Sequence, residues 1–307
     1  MAREKLISAK TKNRPRLMLL GARGQLGSDC REVFSSEYEV CGFTSADLNL
    51  LHPEKIGQAV LHCRPQLIIN AAAHTRVDAC EHEPESARLI NVEAPACLAL
   101  AAKELGALLV QISTDYVFAG DRPLPLGYRE DDPVGPVSVY GRSKLAGEKA
   151  VAGAGCDFLV VRTAWLYGRY GHNFLKTILR LVLSEPRRER QVVADQFGCL
   201  TWSWRLAQQL LSLVRAGKRG LYHAVAEGSA SWYEVACTFL DMMEVEHRIV
   251  PCLSAQYPTP ARRPENSLLL NHRLEHDGLL LMLPWRRDLK LFVARNRERL
   301  LAEASSF

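Results

Sequence analysis

A short apolar run, Leu17-Met18-Leu19-Leu20, leads straight into Gly21-Ala22-Arg23-Gly24-Gln25-Leu26-Gly27. No other stretch limits the possible folds as much. A buried strand that ends in a glycine turn and continues as a helix, Gln25 to about Phe34, is the opening of a dinucleotide-binding βαβ unit. Gly21 permits the tight turn, Gly24 lets a pyrophosphate approach the backbone, and Gly27 lets the helix pack close. The helix N-terminus then faces the phosphates.

Strand and helix patterns alternate from there. Tyr38–Phe43 reads as a second strand, Pro53 to about Cys63 as a helix with proline in its first turn, and Leu67–Ile69 as a third strand running into Asn70-Ala71-Ala72-Ala73-His74-Thr75. One long helix is expected over Glu85 to Leu105, then strands at Leu108–Ile112 and Phe158–Val161. This order predicts an α/β fold, a Rossmann-like doubly wound parallel sheet with ligands at the C-terminal strand ends. The second half changes character. A helix over Asn173–Ser184, a helix capped by Thr201, a strand at Gly220–Ala224 and a helix capped by Ser231 read as a smaller α/β substrate-binding lobe. The expected division is a disordered basic extension over 1–15, a dinucleotide-binding domain over 16–163, and the lobe over 164–307, partly interleaved with it.

Composition excludes several function classes. A formal net charge of +5 over 307 residues, with basic residues scattered, argues against a nucleic-acid binder. No apolar run approaches the ~18 residues of a membrane span. The N-terminus has no apolar core of a secretory signal. Nine cysteines stand singly, without a Cys-x-x-Cys pair, as reduced thiols of a cytoplasmic protein do.

The chemistry is expected between Ser113 and Lys144. Tyr140 and Lys144 are four apart, so on a helix they share a face. An ammonium near a phenol favours the phenolate, lowering a pKa that starts near ~10. Such a tyrosine can pass a proton to a carbonyl oxygen, and the Thr114 hydroxyl can bind that oxygen as charge develops on it.

Gly-x-x-Gly-x-x-Gly is the spacing typical of short-chain dehydrogenase/reductases. With Asn70-Ala-Ala-Ala-His-Thr75, Ser113-Thr-Asp-Tyr-Val-Phe118, Tyr140-Gly-Arg-Ser-Lys-Leu-Ala-Gly-Glu-Lys149, Arg162-Thr-Ala-Trp-Leu-Tyr167, Asp195-Gln-Phe-Gly198, Gly220-Leu-Tyr-His223 and Tyr257-Pro-Thr-Pro-Ala-Arg-Arg-Pro264, the chain resembles the dTDP-4-dehydrorhamnose reductases over about residues 16–300. The resemblance implies a catalytic set of Thr114, Tyr140 and Lys144. It implies cofactor contacts at Gly21, Gly24, Gln25, Leu26, Asn49, Leu50, Ala71, Ala72 and Ala73, with Tyr140 and Lys144 also on the cofactor side. It places Asp115 and Trp165 beside the sugar. Arg262 and Arg263, in a proline-stiffened loop, are expected to meet the substrate pyrophosphate. The implied reaction is NAD(P)H-dependent reduction of a nucleotide-sugar 4-ketone, with no metal required, no nucleic-acid or membrane partner, and oligomeric state open between monomer and homodimer.

The chain departs from the family twice. Asn49 stands where the family often has Asp. After the second strand, Phe43-Thr44-Ser45 carries neither a carboxylate for a ribose 2′-hydroxyl nor an arginine for a 2′-phosphate. NADPH is therefore the expected donor, because no carboxylate repels it, with NADH an accepted alternative. Two rival readings stand beside this one. The regulatory β subunit of methionine adenosyltransferase also keeps a Tyr-x-x-x-Lys pair. His272-Arg-Leu-Glu-His276 has the His-x-x-Glu-His form of a zinc hydrolase, but no third ligand is evident.

Overall fold

The computed structural model describes residues 14–305. Strands β1 (Arg16–Leu20), β2 (Glu39–Phe43), β3 (Leu67–Asn70), β4 (Leu108–Thr114), β5 (Phe158–Thr163) and β10 (Gly220–His223) form one parallel sheet in the order β10-β5-β4-β3-β1-β2. After β2 the chain crosses back over β1 to β3. That reversal leaves a crevice at the strand ends between β1 and β3, where open α/β sheets hold their ligands.

The strand period of two sorts β1 between two cores. Leu17 and Leu19 pack with helix α1 (Gln25–Phe34) and with Leu206 and Leu210 of α8 (Ser203–Arg215). Met18 and Leu20 pack on the other face with Ile56 and Val60 of α2 (Ile56–Cys63) and Leu98 of α5 (Ala94–Leu105). Both faces are covered, so the strand is apolar from Leu17 to Leu20. A separate aromatic core joins α7 (Phe174–Ser184), α9 (Trp232–Met242) and α11 (Trp285–Ser305) through Leu179, Phe239 and Phe292. Asn173 and Ser231 cap α7 and α9, accepting bonds from Lys176 N and Glu234 N, both at 3.1 Å. From beyond residue 163, α8 and β10 return to the large sheet.

Two expectations change, and a third lies almost wholly outside the described residues. The helix over 85–105 is broken into α4 (Pro84–Arg88), a π-turn (Leu89–Glu93) and α5. The wide turn gives Asn91 room to bond inward: its Oδ1 accepts from His74 N at 2.9 Å, and its Nδ2 donates to Ser143 Oγ at 3.0 Å. Thr201 does not cap α8, since its hydroxyl donates to Cys199 O and accepts from Ala226 N. The extension over 1–15 lies outside the described residues except Arg14 and Pro15, which bond Ser35 O and Glu39 N.

Candidate active site

The glycine turn closes on itself through Gly24 N donating to Gly21 O at 2.8 Å, with Gly21 at a left-handed φ of 72°. A Cβ on Gly27 would stand 2.0 Å from Gly21 O, so only glycine allows α1 to lie this close to the turn. No side chain caps α1 at Gly24. Its first N–H groups therefore remain free for an anion. Beneath it, Asn70 bonds Gln111 across β3 and β4 at 2.9 Å and accepts from Ala72 N at 3.2 Å, holding the run Ala71–Ala73 against the crevice.

A cavity of about 970 Å³ occupies the crevice. This is the upper end of the ~300–1,000 Å³ usual for ligand sites. Of the residues singled out in the sequence, Gly21, Gly24, Gln25, Leu26, Asn49, Leu50, Ala71, Ala72, Ala73, Thr114, Asp115, Tyr140, Lys144 and Trp165 all line it. Arg262 and Arg263 do not. Arg263 forks onto Asp78, with Nη2 to Oδ2 at 2.7 Å and Nη1 to Oδ1 at 3.1 Å, and holds the carboxyl below its ordinary range. Arg262 is exposed and pairs with no described residue.

Thr114 and Tyr140 arrive from different elements. Thr114 ends β4, and Tyr140 and Lys144 lie on α6 (Val139–Gly153), which Ser138 caps through Gly141 N at 3.1 Å. A Cβ on Gly141 would meet Tyr116 O at 2.2 Å, so the helix seats directly on the strand end. Lys144 Nζ donates to Ile112 O at 2.6 Å.

The electrostatics differ from the sequence expectation. Burial raises the Tyr140 phenol above its ordinary range, and the Thr114 hydroxyl, not Lys144, pulls it down. Lys144 itself is lowered to about 8 by burial, with Glu148 opposing. Glu148 lies one helical turn on and is shared: Ser113 donates to it, and Arg162 forks onto it at 2.8 and 2.9 Å. Ser113 thus turns away from Thr114, as strand alternation requires. Asp115 is buried and lifted to about 6 by desolvation, against hydrogen bonds from Ser267 and Thr114.

On the other wall, Trp165 lies flat on Trp232, ring centres 3.6 Å apart and 7° from parallel, with Phe174 4.8 Å from Trp232. Trp165 has φ 45°, a left-handed conformation that costs a non-glycine residue about 1–3 kcal/mol. Gly198 makes room, since a Cβ there would stand 2.3 Å from the indole. Sequence reading missed Trp232, Arg23 and Ser45 among the cavity residues. Arg23 lay in plain view inside the glycine turn. Trp232, directly after the helix-capping Ser231, carried no signal.

Among the described residues no group of three His, Cys, Asp or Glu side chains is arranged to hold a metal ion. His272 meets Arg129, and His276 meets Asp277. No helix among them is long and apolar enough to cross a membrane.

A doubly wound sheet with Thr, Tyr and Lys gathered at its strand ends beside a glycine turn defines an extended short-chain dehydrogenase/reductase. The family model described as the RmlD substrate binding domain matches residues 15–298, and the chain belongs to that family. It is 37% identical over 295 residues to the dTDP-4-dehydrorhamnose reductase of Burkholderia thailandensis, covering 91% of this chain and 98% of the relative. The Escherichia coli enzyme of the same name is 37% identical over 291 residues, 89% of this chain and 95% of the relative. The crystal structure of the Bacillus anthracis dTDP-4-dehydrorhamnose reductase in complex with NADP superimposes with a TM-score of 0.88 at 37% identity, covering 92% of this chain and all of that one. A Thermus thermophilus UDP-glucose 4-epimerase, at 19% identity and TM-score 0.80, shares the fold.

Proposed function

We propose that this chain is an NADPH-dependent oxidoreductase that reduces the 4-keto group of dTDP-4-dehydrorhamnose to give dTDP-L-rhamnose. The observation that carries the reading is the meeting of Thr114, Tyr140 and Lys144 on one cavity with the glycine turn, in a chain alike over nine-tenths of its length to reductases of that name. The turn fits a dinucleotide: a Cβ at Gly27 would strike backbone, Gly21 holds a left-handed φ, and the helix N-terminus is uncapped.

A bound reduced nicotinamide supplies the hydride. The protein supplies the rest. Thr114 orients the ketone oxygen and Tyr140, held protonated by burial, donates a proton to that oxygen as it becomes an alkoxide. Lys144, fixed by Ile112 O, lies on the same helix face and offers its remaining N–H groups to the cofactor ribose. Trp165 and Trp232 form an apolar wall for the deoxy-sugar, which accounts for the strain accepted at Trp165. Of the two arginines read as pyrophosphate ligands, Arg262 has the free guanidinium. The cofactor half comprises 16–163 with α8 and β10, the remainder forms the substrate half, and the protein works in the cytoplasm. The relatives matched at 37% identity are reductases, which disfavours a regulatory subunit.

The test is NADPH oxidation with dTDP-4-dehydrorhamnose, followed by absorbance and product chromatography. Turnover to dTDP-rhamnose is expected. A protein that binds NADPH yet leaves this keto-sugar unreduced would overturn the substrate assignment.

A further inference from the structure

The loop after β2 contains no basic residue within its own sequence, but the fold brings one to it. Ala22 N donates to Phe43 O at 3.1 Å, and a Cβ on Gly42 would stand 2.8 Å from that of Ala22. The glycine turn is thereby fastened to the end of β2. Arg23, the next residue, lines the same end of the cavity as Thr44, Ser45 and Ala46. It is exposed and makes no hydrogen bond or ion pair with any described residue.

The one nearby carboxylate is turned elsewhere. Asp47 Oδ2 accepts from Thr44 N at 2.8 Å and Thr44 Oγ1 at 2.6 Å, bonds that hold its pKa down, with a smaller contribution from the charge of Arg23. Asp47 does not line the cavity, whereas Ser45, with an uncommitted hydroxyl, does. In a doubly wound fold this position, beyond the second strand and beside the glycine turn, faces the adenosine ribose. A carboxylate there selects a free 2′-hydroxyl, and an arginine selects a 2′-phosphate. A guanidinium presents paired donors to phosphate oxygens, and a serine hydroxyl adds a third.

We propose that Arg23 and Ser45 form the 2′-phosphate site of this chain and set its preference for NADPH over NADH. The proposal rests on the cofactor reading above and adds the residues that discriminate. The alternative is that Arg23 stacks on the adenine, which both cofactors carry.

Isothermal titration of the full chain with NADPH and with NADH, without sugar, separates these. The unsubstituted protein should bind NADPH more tightly. Arg23→Ala should raise the NADPH Kd about tenfold to a hundredfold, the loss of one charge-assisted hydrogen bond or a little more. The NADH Kd should stay within about twofold, as for an ordinary surface substitution. Arg23→Lys should recover part of the loss, because it keeps the charge but not the fork. Equal weakening of both cofactors in Arg23→Ala would mean adenine stacking and overturn the proposal. So would an unchanged NADPH Kd, while the dinucleotide reading would survive. Failure of the unsubstituted protein to bind either cofactor would sink that reading itself.

Discussion

On one side of the cavity, the glycine turn of residues 21–27 meets its neighbours backbone to backbone. On the other, Trp165 lies on Trp232, and outside the cavity lining Arg263 reaches Asp78, side chains brought together across 67 and 185 positions of sequence. In the first region a missing Cβ is the structural device. In the second it is the shape and charge of large side chains. Backbone contact leaves a motif readable in a handful of consecutive residues, whereas side-chain contact between distant segments leaves almost none. The two walls should therefore fail differently when altered.

The largest effect should come where the walls meet. Tyr140→Phe keeps the ring and its packing but removes the proposed proton donor, so turnover should fall by roughly 10² or more with NADPH affinity retained. Steady-state kinetics and cofactor titration check this together. Near-normal turnover would remove Tyr140 from the chemistry.

Gly27→Ala tests the backbone-built side. Its Cβ would meet a carbonyl oxygen and carbon, neither of which can swing away. Overpacking of this kind costs about 1–3 kcal/mol, and displacement of α1 from the turn should also weaken NADPH binding. Urea denaturation with a parallel cofactor titration would expose a variant that loses neither.

Lys144 gives a pH test with opposed signs. Its folded pKa is lowered to about 8, so its charge is present below that pH and lost above it. If the charge is used, kcat/KM should fall about tenfold per pH unit above ~8. Between about 8 and its ordinary 10.5, the unfolded chain binds the proton that the folded chain has given up, so this group's contribution to stability rises with pH over the same window. An activity limb tracking global unfolding would dismiss the assignment. In Lys144→Met the limb should vanish.

The two arginines, outside the cavity lining, probe contacts that side chains build. Arg262→Ala should weaken dTDP binding about tenfold, as for one lost charged hydrogen bond. Arg263→Ala leaves Asp78 without its ion-pair partner, held only by Ala261 N at 3.1 Å, and should lower stability without a specific loss of dTDP affinity. Calorimetry on both variants would reveal a reversed pattern, which would restore Arg263 as the pyrophosphate ligand.

The smallest effect belongs to Asp29 in α1, behind the glycine turn. Burial lifts its pKa to about 6, even with Ser203 donating to it at 2.5 Å. Between its ordinary 3.8 and about 6 the folded chain keeps a proton that the unfolded chain has given up, so this group's contribution to stability falls across that window and is fully lost above it. Asp29→Asn keeps an acceptor for Ser203 and should raise Tm by about 2 °C near pH 8 and by less near pH 4. Equal shifts at both would rule out the carboxylate charge as the cause.

Much of this molecule was legible from residues in a row. The strand-turn-helix at 16–34, the small residues at 71–73, the strand end at Thr114 and the Tyr140–Lys144 spacing each announce themselves locally, because period-2 burial, glycine geometry and the i, i+4 helix face are local physics. The break in the 85–105 helix was not legible. The π-turn there serves Asn91 contacts with His74 and Ser143, which belong to other elements.

The same division holds for the site. The order of strands and helices, the uncapped helix behind a glycine turn and the placement of Tyr140 and Lys144 on one helix face were determined by the sequence alone, since each needs only neighbours within a few residues. Tertiary structure alone decided that Arg23 and Ser45 line one cavity, that Arg263 is tied to Asp78, and that Trp165 rests on Trp232. It also decided that Tyr140 is held protonated, not ionised. Burial and charge at a point in space depend on every segment that reaches it, and those segments come from distant parts of the chain.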